Sequence, residues 1–195
     1  MTPTLPHLYW WKQLTPQWKQ AFQETFFRQA TEPTEEDLNN LYLTPALRFV
    51  GPRAPYPNMS FELGDLSGLR SLSNLEILVC THQQVETIHE IKPLTRLRSV
   101  FLFNNQISSI SGIEELFELE QLYLQYNKIT SLGPIQKLVK LRELYIHHNC
   151  ISCLDGLTEE HAEKLEMLFC KPNEALKQKE MMRVERELGI RCRSL

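Results

Sequence analysis

At 195 residues, 42% hydrophobic and 23% charged, the chain has the size and composition of one soluble domain with a continuous core. Its net charge of −3 argues against the basic field that would draw nucleic acid or an anionic membrane. No apolar run nears the roughly 18 residues needed to span a bilayer, and five cysteines, an odd number in a chain too large to need staples, predict a reduced, cytoplasmic protein.

The first stretch, "MTPTLPHLYWWKQL", lacks a basic n-region and a sustained apolar run, so it does not read as a secretory signal. "LTPQWKQAFQETFF" reads as a helix, with Thr15 at the N-cap, Pro16 at the first helical position, and Trp18, Ala21, Phe22, Thr25 and Phe26 on one stripe. "TEEDLNNLY" predicts a second helix, because Thr34 and Asp37 have the spacing of a capping box ahead of apolar Leu38, Leu41 and Tyr42. These residues are expected to form a helical N-terminal cap over 1–60. "GPRAPYPNM" shows no strand pattern, but Leu63, Leu66, Leu69 and Leu72 already keep the phase of the leucines downstream.

From residue 75 the chain repeats itself. Leu75, Leu97, Leu119 and Leu141 are each 22 residues apart, and so are Leu78, Val100, Leu122 and Leu144, followed by Cys80, Leu102, Leu124 and Ile146. A polar amide column comes next, at Gln83, Asn105, Asn127 and Asn149, then Val85, Ile107, Ile129 and Ile151. The second half of each copy is equally regular: Ile88, Ile110, Leu132 and Leu154, then Ile91, Ile113, Ile135 and Leu157. The alternation in the first half predicts a short strand per copy. One copy cannot bury its own apolar side, so stacked copies must share a core, with a parallel sheet on one face and turns or 3₁₀ segments on the other. Asn in the polar column is suited to satisfying turn backbone, because its amide donates and accepts at once.

"LRSVFLFNNQISSI", "LEQLYLQYNKITSL" and "LRELYIHHNCISCL" resemble the leucine-rich-repeat pattern LxxLxLxxNxIxxI. The 22-residue length is similar to the subclass found in phosphatase-regulatory repeats and bacterial internalins. The resemblance covers roughly residues 61–176 and implies an α/β solenoid with a parallel concave sheet. The repeats are expected over 61–172.

Strand residues that alternate with the core leucines face outward on such a scaffold. One outward column holds Val79, Phe101, Tyr123, Tyr145 and Phe169, an aromatic ladder of roughly 20 Å at the usual spacing of parallel strands. Two residues on stand Thr81, Phe103, Gln125, His147 and Lys171, and beside them His82, Asn104, Tyr126, His148 and Pro172. Cross-strand aromatics stabilise sheets by about 0.2–1 kcal/mol per pair, so a ladder can serve structure alone. A contiguous exposed aromatic patch more often marks an interaction site. The candidate partner-binding residues are therefore Val79, Phe101, Phe103, Tyr123, Gln125, Tyr126, Tyr145, His147, His148 and Phe169, facing a protein or peptide. An open saddle of this kind does not make a small-molecule pocket.

"HHNCISC" has a CxxC that suits zinc in spacing. Its Cys150 and Cys153 stand where earlier copies carry Gln106 and Ser109, or Lys128 and Ser131, on the turn after the strand. A repeat position accounts for them, so no metal and no cofactor are expected. Cys80 and Cys170 occupy leucine positions and belong to the core. With no nucleophile elbow, P-loop, dinucleotide fingerprint or HExxH motif, no enzymatic activity is expected.

Downstream, Leu165, Leu168, Cys170, Asn173 and Ala175 fit a divergent copy, 24 residues after the preceding one, so two residues have been inserted. Asn173 fits either the amide column or the N-cap of a last helix. "NEALKQKEMMRVERELGI" predicts a C-terminal capping helix over 173–195, with Met181, Val184 and Leu188 on one face and a Schellman stop at Gly189. The whole reads as a non-enzymatic protein-interaction module. A regulatory subunit docking on an enzyme such as a phosphatase, and a self-associating structural protein, remain as alternatives.

Overall fold

The computed structural model describes residues 6–194. Helix α1 (Pro6–Gln13) was not foreseen, and residues 1–5 of the stretch read for a signal lie outside the described residues. Helix α2 (Pro16–Phe22) starts as expected: the Thr15 hydroxyl accepts from the Trp18 N–H, and Pro16 needs no donor at the first position. It runs on as a π-helical turn over Gln23–Phe27 and ends at Arg28 in a left-handed conformation (φ 55°). Helix α3 (Glu35–Leu43) opens on the expected capping box. The Thr34 hydroxyl accepts from the Asp37 N–H, and the Asp37 carboxylate accepts from the Thr34 N–H in return.

Seven parallel strands lie in one sheet, in sequence order: β1 (Ala46–Val50), β2 (Ile77–Thr81), β3 (Ser99–Phe101), β4 (Gln121–Tyr123), β5 (Glu143–Tyr145), β6 (Met167–Lys171) and β7 (Cys192–Ser194). Strand β1 corrects the all-helical reading of the N-terminal segment. Its Leu47 and Phe49 pair with Leu78 and Cys80 and extend the sheet by one strand before the first full repeat. Between β2 and β5 the register advances by 22 residues at each step, Leu78↔Val100, Val100↔Leu122 and Leu122↔Leu144. Leu144 then pairs with Leu168, and the two extra residues are taken up where a one-turn helix, α4 (Glu159–Ala162), replaces the usual turn.

The core runs the length of the solenoid. The repeating leucine, valine and isoleucine positions from Leu63 to Leu154 are buried almost without exception, and Cys80 and Cys170 lie among them as expected. The amide column is buried and fully used. Asn127 Oδ1 accepts from the Ile107 N–H (3.0 Å), while its Nδ2 donates to the carbonyls of Leu102 (3.0 Å) and Leu124 (2.9 Å). Asn105 and Asn149 repeat this pattern one coil earlier and one later. Asn173 joins them, accepting from the Asn149 N–H and donating to Ile146 and Cys170, so it belongs to the column rather than to a helix cap. Each amide spares a buried backbone group a desolvation cost of about 1–3 kcal/mol.

Both ends of the core are closed. At the N-terminal end Trp18, Phe22 and Phe49 meet at ring-centroid distances of 5.3–5.6 Å, and the Trp18 indole N–H donates to Asp65 (2.9 Å). Gly68 lies flat against Trp18, where a Cβ would fall 2.2 Å from the ring. At the other end helix α5 (Gln178–Leu188) begins later than expected and buries Met181 and Val184. Gly189, left-handed at φ 69°, ends it through one bond to the Glu185 carbonyl, which is the simpler left-handed cap rather than the two-bond Schellman form. Strand β7, also unforeseen, closes the sheet behind it.

Candidate functional site

The strand pairings set the outward column in register across the sheet: Arg48, Val79, Phe101, Tyr123, Tyr145, Phe169 and Arg193. The aromatic members form one continuous stack. Ring centroids are 4.7 Å apart from Phe101 to Tyr123, 4.1 Å from Tyr123 to Tyr145, and 4.6 Å from Tyr145 to Phe169, the last two pairs nearly parallel. All four rings are half-buried, with one face on the sheet and their neighbours and the rest in solvent.

A second outward column, two residues earlier on each strand, locks this stack in place. Ser99 Oγ donates to Gln121 Oε1 (2.7 Å), and Gln121 Nε2 donates to Glu143 Oε1 (3.1 Å). The other Glu143 oxygen accepts from the Tyr123 hydroxyl. A polar chain therefore crosses three strands and ends on a ring of the ladder, fixing its rotamer. Burial pushes the Tyr123 hydroxyl well above the ordinary tyrosine value, and the Glu143 carboxylate beside it adds to this, so Tyr123 stays a donor.

The third column behaves differently from its expected role. Phe103 and Gln125 are half-exposed, and the Phe103 ring meets His82 edge-on at 5.6 Å. His147, expected to face a partner, is only 2% exposed. The strand has ended at Tyr145, and Tyr126, Tyr145 and His148 close over the imidazole at centroid distances of 5.6, 6.4 and 5.4 Å. Thr81 is buried for its part at 2% exposure. Alternation foretold the direction of these side chains and not the neighbours that cover them.

The next column reveals why the chain leaves the strand so sharply. His82, Asn104, Tyr126 and His148 all take left-handed backbone, at φ 53–58°. Tyr126 is exposed and stacks on His148 at 4.3 Å with the planes 11° apart. These two rings remain on the solvent side, at the rim of the ladder. Burial lowers the His147 pKa below the ordinary histidine value, with the neighbouring His148 adding to the effect, and burial lowers that of His82 likewise, helped by Arg53. Both rings therefore stay neutral to lower pH than free imidazole.

In "HHNCISC", Cys150 is exposed, Cys153 is half-buried and His147 is buried. Among the described residues no group of three or more His, Cys, Asp or Glu side chains comes together as a metal site. Reading the outward positions by alternation missed the two cations that bound the ladder. Arg48 lies on a strand that showed no repeat pattern, and Arg193 on one only three residues long.

Residues 118–159 match the family model described as leucine-rich repeats in two copies. Among solved structures the chain is similar to an internalin (inlF) from Listeria monocytogenes, with a TM-score of 0.64 and 26% identity over 76% of this chain and 40% of that one. It is also similar to a leucine-rich-repeat protein from Leptospira interrogans, with a TM-score of 0.64 and 22% identity over 84% of this chain and 40% of that one. The chain thus spans about 40% of the length of either structure. No curated protein sequence matches it. The residue columns, the strand register and these likenesses agree, and the chain folds as a leucine-rich-repeat solenoid.

Proposed function

We propose that the protein is a non-enzymatic interaction module that binds a protein or peptide partner on its concave face, with Phe101, Tyr123, Tyr145 and Phe169 as the central contacts. The observation that carries this reading is the stack of four half-buried rings held rigid by the Ser99–Gln121–Glu143–Tyr123 chain. A surface whose side chains are already fixed loses little conformational entropy on binding, and Tyr is enriched among residues that dominate interface energy. Val79, Phe103, Gln125, Tyr126 and His148 extend the contact surface around the rings. His147 supports it from beneath, since its own ring is covered.

The test is a paired capture from native lysate with the wild type and a Phe101→Ala, Tyr123→Ala, Tyr145→Ala variant, read by mass spectrometry after circular dichroism has shown both to be folded. A protein retained only by the wild type supports the ladder as the docking face. Equal retention by both would overturn it.

A further inference from the structure

The charge of the concave face is opposite to that of the molecule. The chain carries a net charge of −3. Yet among the outward positions of the seven strands the cations are Arg48, Lys171 and Arg193, and the only carboxylate among these described residues is Glu143. Glu143 is spent internally on Gln121 and Tyr123. The three cations are not: Arg48 donates to the Tyr56 carbonyl and Arg193 to the Glu166 carbonyl, and no carboxylate pairs with any of the three among the described residues. Four cations beside the face show the opposite arrangement. Along the edge just ahead of the strands, Arg96, Arg98, Lys140 and Arg142 each pair with a glutamate. These four edge cations are neutralised, whereas the three on the concave face are left open.

The positions of these cations matter as much as their sign. Arg48 stands in register at one end of the ladder and Arg193 at the other, with Lys171 beside Arg193 on the next strand and only Val79 and the four rings between. Six strand steps separate the two arginines, about 29 Å, the length of roughly nine extended residues.

We propose that the occupant of this face is an acidic segment of a partner protein, with carboxylates at both ends of an apolar or aromatic centre. The centre packs on Phe101–Phe169 while the ends meet Arg48 on one side and Lys171 and Arg193 on the other. Arginine and lysine without a local counter-ion lose little by exchanging water for a partner carboxylate, and two charged ends fix the register of a segment that an apolar ladder alone would let slide. The inference rests on the ladder being the docking face.

The experiment is a selection of displayed random peptides of about twelve residues, long enough to span the ladder. It is run in parallel on the wild type, on Arg48→Gln, Lys171→Gln, Arg193→Gln, and on the Phe101→Ala, Tyr123→Ala, Tyr145→Ala variant. The expected result is enrichment by the wild type of peptides with Asp or Glu flanking an apolar centre, with the acidic preference lost on the Gln variant and all enrichment lost on the Ala variant. A selected peptide remade with Asn and Gln for its acids should bind more weakly, and binding of the acidic form should weaken with added salt. That peptide comparison uses the unaltered protein and does not depend on any variant folding. Neutral or basic peptides enriched by the wild type and lost only on the Ala variant would overturn the acidic partner and leave the ladder standing. Peptides enriched equally on all three proteins would overturn both.

Discussion

From Asn105 to Asn173 the amide column repeats one bonding pattern, whereas from Val79 to Phe169 the outward column, at the same spacing, changes its side chain at almost every step. The first answers to the backbone: each Asn meets the same N–H and the same two carbonyls, so nothing but an amide fits. The second answers to solvent and neighbouring rings, so Phe, Tyr and Val all fit, and the selection among them is free to serve recognition. Strict periodicity in a solenoid reports what the fold needs. Broken periodicity at an outward position reports what it does not need, and so shows where function can be placed.

The largest expected effect tests the buried column. Asn127→Ala orphans the Ile107 N–H and removes two further bonds, and is expected to cost about 3 kcal/mol. In a chain of this size that lowers Tm by about 10 °C in thermal unfolding. A fall no larger than that of an exposed control would mean that the amides are dispensable. Gly68→Ala tests the cap in the same way, because the added Cβ meets the Trp18 ring. It should lower Tm markedly, and a companion Gly64→Ala, with no atom within 4 Å of its Cβ, should not.

Next in size, Tyr123→Ala is expected to cost about 2 kcal/mol, since it removes two half-exposed ring pairs and the hydroxyl bond to Glu143. It should nevertheless abolish binding of the selected peptide. A loss of stability equal to that of Asn127→Ala would erase the distinction between the columns.

A smaller effect depends on pH. His161 is buried, and its Nδ1 accepts from the Thr158 N–H (3.1 Å), which requires the neutral ring. Burial holds its pKa below the ordinary value, with the Ile135 carbonyl and Glu160 acting against it, and His147 and His82 are lowered by burial too. The folded state thus binds fewer protons than the unfolded state just below the free histidine value. Stability should be full above about pH 6.5 and fall as pH drops through the lowered folded values. Urea unfolding across this range measures it, and His161→Gln, which keeps an acceptor, should flatten the slope. The smallest effect belongs to the edge ion pairs: Lys140→Gln, breaking its exposed bond to Glu118, should shift Tm by no more than about 2 °C.

The repeats were legible because their signal is summed over four copies. Leu78, Val100, Leu122 and Leu144 did pair in register, and the inserted pair of residues before Leu165 did mark an irregular coil. Single occurrences were not legible. In "ALRFV" the alternation of Leu47 and Phe49 has no second copy to confirm it, and "CRS" is too short to show any pattern. At the site, outward direction could be read for Phe101, Tyr123, Tyr145 and Phe169. The burial of His147 could not, because it depends on where Tyr126 and His148 place their rings after leaving the strand through left-handed backbone, which alternation does not encode.

The spacing of the amide bonds also shapes how the chain folds. From Asn105 onward their links to neighbouring coils span only 20 to 27 residues, and no coil depends on one far away. Each coil therefore closes a loop of similar, modest entropy against its neighbour, the condition under which folding is expected to propagate from coil to coil. The irregular stretch at α4 and the register shift between Phe169 and Lys171 interrupt this regularity, and the break is expected there first. Native-state hydrogen exchange should see residues 167–194 open as one block while the coils before them stay shut.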